Sequence, residues 1–258
     1  MNDDSVQIEI VENDEESVSS EWRHVRGCSL PDYDSYCPIA SVEVYKQPDG
    51  SYLESMTNAT LQESDFLPTP GFVVIYLGGI EREHTLETAA SALHNSLTSL
   101  FAACDMQVDR ERIRTTVELS GFMKEYRSNY SDVVLIGHGS TDGIQFLDRQ
   151  GPMGGAELSG LLGADSSENP INIISLCCHS GCAKLAQSLS ESKNVTNVIA
   201  PNDEFDVRWA VHFVTGYFLH LYISDLNVSD AVEHAAKISG NQPMCIWRDG
   251  KLTHECAT

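Results

Sequence analysis

Two reactive side chains follow apolar segments of this sequence. His138 comes directly after the run DVVLIG, and Cys178 ends the run INIISLCC, just before His179, Ser180 and Gly181. Both runs have the continuous apolar composition of strands that are buried in a parallel sheet. Active sites gather beyond the carboxyl ends of such strands, so His138 and Cys178 should lie side by side if the two strands are neighbours.

A thiol beside an imidazole is a nucleophile with its own base. The thiolate attacks a carbonyl carbon, and the imidazole takes the thiol proton and later delivers it to the leaving amine. Gly139 lets a substrate approach closely, so we expect the backbone N–H groups of Gly139 and Cys178 to hold the developing oxyanion. A helix predicted to start near Gly181 adds the positive end of its dipole close to Cys178.

The elements that must position these residues alternate between strands and helices. Buried strands are predicted at 72–79, 132–139, 171–178 and 197–203, with shorter strands at 113–119, 143–148 and 244–252. Apolar residues at helical spacing predict helices at 84–106, 121–130, 155–163, 181–192, 206–222 and 227–239. This alternation predicts an α/β fold with a mostly parallel central sheet between helices.

The first quarter of the chain has a different character. Residues 1 to about 30 are polar and acidic without periodicity, which predicts a mobile or loosely docked N-terminal arm. The alternating segments 39–45 and 51–56 flank Pro48-Asp49-Gly50, which predicts a β-hairpin. We therefore divide the chain into an acidic arm with a hairpin at 1–66 and a main domain at 67–258.

The order of the two reactive motifs resembles the caspase-like cysteine peptidases, the clan of caspases, metacaspases, separase, gingipains and bacterial CHAT-domain proteases. Their shared signature is an apolar block followed by His-Gly, then an apolar block that ends in the catalytic Cys. VVLIGHG and INIISLCCHSG match both halves, and the likeness covers about residues 70–225. The CHAT group is most similar, because its nucleophile is followed by a variable residue and Ser-Gly.

That resemblance implies a caspase-like three-layer sandwich and a cysteine endopeptidase that needs no cofactor. It implies His138 and Cys178 as the catalytic dyad. Cys177 occupies the position before the nucleophile, and strand alternation turns it towards the other face of the sheet.

The residue selected before the cleavage site remains open. In the similar families the loop after the fourth strand lines this pocket, and here it carries Asp203, Glu204 and Asp206. These acids predict a contact with Arg or Lys of the substrate, although Asp203 or Asp206 is equally explained as a helix cap. Arg82 lies where caspases place an arginine that selects Asp, which predicts the opposite preference. We favour basic specificity.

Three other site chemistries compete with the peptidase. Zinc-type ligands are present at His138, Cys177, Cys178, His179 and Cys182. Adjacent strand cysteines point apart, however, and no second Cys/His pair has finger spacing, so we predict no metal. A catalytically inactive relative that binds a peptide in the cleft and a cysteine hydrolase for a non-peptide substrate stay as alternatives.

The net charge restricts the partners. A formal charge of −22 argues against binding to nucleic acid or to an anionic membrane, because both repel it. The acidic first residues lack the apolar core of a signal peptide, and no run approaches the length of a membrane span. We expect a cytoplasmic protein with reduced cysteines, a protein substrate and a regulatory protein partner. The resemblance to bacterial relatives implies antiviral defence or regulated cell death.

Overall fold

The structure is a computed structural model, and the residues that it describes are 20–26, 39–55, 58–62, 66–67, 71–78, 84–102, 106–162, 170–224 and 226–256. Residues 1–19 of the predicted arm, its last residues after Arg26, and Arg82 lie outside the described residues.

A seven-stranded sheet carries the strand ends on which the site depends. Its spatial order is β14 (Lys251–Glu255), β13 (Met244–Arg248), β12 (Val195–Pro201), β11 (Ile171–Ser175), β8 (Asp132–Ile136), β6 (Phe72–Leu77) and β7 (Val108–Ile113). The strands from β12 to β7 are all parallel, and β13 and β14 form an antiparallel hairpin beside β12. The mostly parallel sheet that the sequence predicts is therefore confirmed.

Helices cover both faces of this sheet, which gives three layers. Alternate side chains of each buried strand point to opposite faces, so each face presents an apolar surface. One face packs against α1 (His84–Phe101), α5 (Ala210–Phe218) and α6 (Val228–Ile238). The other packs against α2 (Thr116–Tyr126), α3 (Gly155–Leu161) and α4 (Ala183–Ser190). Of the helices in the described part of the chain, none is long and apolar enough to span a bilayer.

The remaining strands form two smaller sheets. The predicted hairpin is confirmed within an antiparallel sheet of the order β4 (Thr60–Leu61), β3 (Tyr52–Glu54), β2 (Ile39–Lys46), β1 (Ser20–Arg26) and β5 (Phe66–Leu67). The sequence analysis did not predict β1, which falls in the segment assigned to the arm, and the domain division stays a prediction. After β8, the short strands β9 (Gly139–Ser140) and β10 (Gly143–Ile144) form a hairpin.

The predicted strand at 113–119 is wrong, because a helix begins inside it. Thr115 caps α2: its side chain accepts a hydrogen bond from the N–H of Glu118, whose carboxylate accepts the N–H of Thr115. This reciprocal capping box outweighs the strand preference of the β-branched residues around it. The neighbouring strand is instead β7, whose charged sequence VDRERI is tolerated because β7 lies at the sheet edge.

A ladder of polar side chains crosses the sheet near the amino ends of its parallel strands. Asn172 Nδ2 donates to Asp132 Oδ1 at 3.0 Å, and Asn197 Nδ2 donates to Asn172 Oδ1 at 2.8 Å. Arg248 continues the ladder, since its Nε and Nη2 both donate to Asn197 Oδ1. Asp132 with Asn172, and Asn172 with Asn197, are direct cross-strand partners, so these hydrogen bonds also specify the strand register.

The carboxyl of Asp132 ends this ladder in the protein interior. Asp132 is fully buried, and it also accepts hydrogen bonds from Ser131 Oγ at 2.7 Å and Tyr222 Oη at 3.2 Å. Burial raises the pKa of this carboxyl from 3.8 to about 6, although the hydrogen bonds oppose the shift. The folded protein therefore binds a proton on Asp132 at a pH where the unfolded chain has released it.

We predict that Asp132→Asn changes how the free energy of unfolding depends on pH. A raised folded pKa contributes stability that is complete below about pH 4 and lost as the pH rises through about 6. Relative to the wild type, the variant should therefore gain about 3 kcal/mol between pH 4 and pH 7, from about 1.4 kcal/mol per unit of pKa. Urea unfolding at several pH values measures this change.

Glu118→Gln provides a control of opposite sign. The N–H of Arg114 lowers the pKa of the Glu118 carboxyl, so its stability contribution is present above its unfolded pKa and lost as the pH falls. Relative to the wild type, this variant should lose stability as the pH rises. A pH-independent difference for Asp132→Asn would contradict the burial of Asp132.

Candidate active site

The parallel pairing of β8 with β11 places His138 alongside Cys178. Leu135 is paired with Ser175, and the N–H of Leu176 continues the ladder by donating to Leu135 O at 2.8 Å. His138 and Cys178 each follow three residues beyond the paired Leu135 and Ser175. The two residues therefore leave adjacent strands at the same carboxyl edge, as the sequence predicts.

The glycine after His138 lets the two chain segments touch. A Cβ added to Gly139 would overlap the carbonyl oxygen of Cys178 and lie 2.9 Å from Cβ of Cys177. Only glycine fits against this backbone without displacing it. The backbone that follows His138 is thus in van der Waals contact with the backbone of Cys178, and His138 itself is exposed to solvent.

The two adjacent cysteines face opposite layers of the sandwich. Cys177 is fully buried in the core formed with α2, α3 and α4, and burial raises the pKa of its thiol to about 12. Cys178 is half-buried and packs against the core on the other face of the sheet. Of the two neighbouring thiols, that of Cys178 is therefore the one that is partly accessible to solvent.

Nearly all backbone N–H groups around Cys178 donate a hydrogen bond within the protein. The N–H groups of residues 176, 177, 179, 180, 181 and 182 each donate to an acceptor in the structure. That of Cys178 alone in this segment has no acceptor among the described residues. A free N–H next to the sulfur is the feature required of an oxyanion donor.

The hairpin after β8 leaves the backbone N–H of Gly139 without a hydrogen bond across it. Ile144 is its partner in the β9–β10 hairpin, but Ile144 exchanges both of its backbone hydrogen bonds with Met153. Gly139 and Ile144 are therefore a non-hydrogen-bonded pair, and the N–H of Gly139 is directed away from the hairpin. The loop that follows is held near the site, because the N–H of Gln145 donates to His138 O at 3.0 Å.

The loop after β12 contacts the sulfur directly. The N–H of Phe205 donates to Cys178 Sγ at 3.4 Å, and the same sulfur lies 3.8 Å from Phe205 O. An N–H donor stabilises negative charge on sulfur. The predicted helix start near Gly181 is two residues too early: α4 begins at Ala183, with Cys182 as its N-cap. Dipole effects fade beyond the first turn, and the amide of Phe205 is the donor that reaches the sulfur of Cys178.

The acidic residues of this loop separate into two groups. Asp203 and Glu204 are exposed, and the loop is held beside Cys178 because the N–H of His179 donates to Asp203 O at 2.9 Å. Asp206 instead caps a 3₁₀ turn at Val207–Trp209 and accepts hydrogen bonds from the backbone and guanidinium of Arg208.

For Asp206 the structure therefore shows the capping role that the sequence left open. Its guanidinium partner lowers the pKa of this carboxyl and offsets its charge. The carboxylate of Asp203 has no guanidinium partner among the described residues: its Oδ1 accepts the N–H of Glu204 at 2.8 Å and lies 3.8 Å from the Nδ1 of His179. Asp203 and Glu204 are thus the acidic side chains available beside Cys178.

Two contributors to the site were not predicted from the sequence. One is the amide of Phe205, which no side-chain pattern reveals because the contact is made by backbone. The other is the pair of buried hydroxyls of Ser175 and Ser180, which bracket the two cysteines in the sequence. No group of three or more His, Cys, Asp or Glu is placed to hold a metal ion within the described ranges.

Comparisons with known proteins find similar structures. No protein-family model matches the chain, and no curated protein matches it in sequence. One similar structure is an inactive zymogen C11 protease from Parabacteroides distasonis, with a TM-score of 0.49 and 9% identity over 70% of this chain and 62% of that chain. Another is iotapain, a secreted C11 cysteine protease from Bacteroides thetaiotaomicron, with a TM-score of 0.48 and 10% identity over 70% and 65%.

A third similar structure is a secreted C11 cysteine protease from the same Bacteroides species in complex with an irreversible peptide inhibitor. It has a TM-score of 0.47 and 12% identity over 70% of this chain and 66% of that chain. The chain spans less than two thirds of the length of each of these three proteins. C11 proteases belong to the caspase-like clan, and at 9–12% identity no activity is carried over from them.

Proposed function

We propose that this protein is a cysteine endopeptidase in which Cys178 is the nucleophile and His138 the general base and acid. The observation that carries the proposal is the open N–H of Cys178 beside a half-buried thiol, with His138 and Gly139 on the adjacent strand end. A thiol, an imidazole and two free amide donors at one sheet edge are the parts needed for acyl transfer.

The reaction follows from the roles of these groups. His138 takes the thiol proton, and the sulfur of Cys178 attacks the scissile carbonyl while the N–H groups of Cys178 and Gly139 hold the oxyanion. The C–N bond then breaks as the imidazolium gives its proton to the leaving amine, which leaves a thioester acyl-enzyme. Water, activated by His138, hydrolyses the thioester and regenerates the thiol.

We further propose a preference for Arg or Lys immediately before the cleavage site. Asp203 and Glu204 support it, because both carboxylates are exposed and belong to the loop whose Phe205 amide contacts Cys178. A guanidinium or ammonium group pairs favourably with such carboxylates. Asp206 contributes less, since Arg208 already occupies its carboxylate.

A biological setting is proposed from the sequence resemblance. In this proposal the protein is a cytoplasmic protease that is most similar to the CHAT group and acts on a protein substrate. It takes part in bacterial antiviral defence or regulated cell death, and a partner protein controls it. The high negative charge supports a basic substrate or partner by long-range attraction.

We predict that Cys178→Ala and His138→Ala each lower kcat/KM for peptide cleavage by at least about a thousand-fold, because each removes a covalent or proton-transfer role. Cys177→Ala is the matched control: it removes the neighbouring thiol from the opposite face and should keep activity of the same order. Fluorogenic peptide libraries measure all three. Undiminished cleavage by Cys178→Ala contradicts the proposal, and a wild type inactive on every peptide favours the inactive binding module.

We predict that Asp203→Asn and Glu204→Gln each lower kcat/KM for substrates with Arg before the cut by about tenfold, equivalent to about 1.4 kcal/mol. Asp206→Asn is the control from the same loop and should have a smaller effect, since its charge is offset by Arg208. Parallel assays with Arg, Lys and Asp at this position measure the preference. Faster cleavage after Asp would contradict basic specificity and favour the alternative based on Arg82.

A further inference from the structure

We propose that Ser180 is a positioning residue that aims the oxyanion-binding N–H of Cys178, an assignment that rests on the proposed peptidase function. Ser180 is 1% exposed, and its hydroxyl lies 2.6 Å from Cys177 O and 2.7 Å from Ser175 Oγ. It cannot contact a substrate from this position. Any effect on the reaction must therefore pass through the backbone that it holds.

The three groups form a closed ring of hydrogen bonds around Cys177. A carbonyl only accepts, so the single proton of the Ser180 hydroxyl is donated to Cys177 O. The same hydroxyl also lies within hydrogen-bond distance of Ser175 Oγ, at 2.7 Å, and Ser175 Oγ accepts the N–H of Cys177 at 3.3 Å. Both hydroxyls are buried, and each has a hydrogen-bond partner within the ring.

This ring fixes the peptide plane that contains the oxyanion donor. The carbonyl of Cys177 and the N–H of Cys178 belong to one rigid peptide unit and point in opposite directions. The carbonyl accepts the hydroxyl of Ser180 and also the Ser180 N–H at 3.2 Å. Two bonds from Ser180 on one end of the peptide therefore set the direction of the free N–H at its other end.

The backbone next to this peptide has an unfavourable conformation, which the hydrogen bonds from Ser180 help to hold. His179 has a φ of +58°, a left-handed conformation that residues other than glycine adopt at a cost. The turn Cys177–Ser180 that contains it is closed by the Ser180 bonds to Cys177 O. Loss of the hydroxyl removes one of these two bonds and lets the peptide of Cys178 tilt.

The test compares two reagents that react with the same sulfur. A peptidyl aldehyde ending in arginine adds across its carbonyl: the S–C bond forms, the C=O π bond breaks, and the resulting oxyanion needs the N–H of Cys178. Iodoacetamide alkylates the thiolate with loss of iodide and develops no oxyanion. Aldehyde affinity is measured as protection of Cys178 from iodoacetamide, with the modified cysteine identified by mass-spectrometric peptide mapping.

For Ser180→Ala we expect aldehyde affinity to fall by about 10- to 100-fold, less than the ~10²–10³ seen when an oxyanion donor is removed outright. The rate of Cys178 alkylation by iodoacetamide without aldehyde should stay within about twofold, because this reaction does not use the oxyanion site. Ser175→Ala, which opens the ring but keeps the bond to Cys177 O, should give a smaller loss in the same direction.

Ser190→Ala is the matched control, since Ser190 is equally buried and hydrogen-bonded but lies at the far end of α4. It should change neither reaction. Unchanged aldehyde affinity in Ser180→Ala overturns the assignment, and so does an equal loss in both reactions, which would mean that Cys178 itself has moved. If Ser180→Ala does not fold, Ser175→Ala decides in the same way. A wild type that no aldehyde protects overturns the peptidase proposal itself.

Discussion

The parallel register between β8 and β11 is the constraint on which the rest of the site depends. It brings two strand ends together at one edge, and it decides which residues face each other there. The contact of Gly139 with the backbone of Cys178 shows how close the two ends are. A shift of one residue would turn every side chain of the shifted strand to the opposite face. Cys177 would then exchange places with Cys178.

The opposite end of the same strands holds that register. Asp132, Asn172 and Asn197 hydrogen-bond across β8, β11 and β12 as direct cross-strand partners. Apolar side chains of similar shape accept a slipped register more readily than hydrogen-bonded groups do, because a slip would cost the buried carboxyl of Asp132 its hydrogen bond from Asn172. The polar ladder therefore requires the unfavourable burial of the Asp132 carboxyl, and it supports the placement of Cys178 at the far edge of the sheet.

Much of this arrangement is predictable from the sequence because the signals are local. Strands β6, β8, β11 and β12 are mostly apolar runs, and His138 and Cys178 come just after two of these runs. Strand alternation separates Cys177 from Cys178, as the two core layers confirm. β7 escapes prediction because its sequence VDRERI has the charge of an exposed edge and no apolar run.

The parts of the site that escape prediction depend on contacts between distant segments. The amide of Phe205 meets Cys178 only because the loop after β12 folds back over β11. The hydroxyls of Ser175 and Ser180 look like ordinary small residues until the turn between them is known. Asp206 has an acidic side chain like that of Asp203, and only its bonds with Arg208 distinguish a cap from an available carboxylate.

If His138 and Cys178 act as one catalytic unit, labelling of the cysteine must depend on the histidine. The most direct measurement is mass-spectrometric mapping of the adduct that a peptidyl acyloxymethyl ketone ending in arginine leaves on the wild type and on His138→Ala. We expect a single adduct on Cys178 in the wild type and its loss in His138→Ala. An adduct on Cys177 or Cys182, or labelling of Cys178 at the same rate without His138, would contradict it.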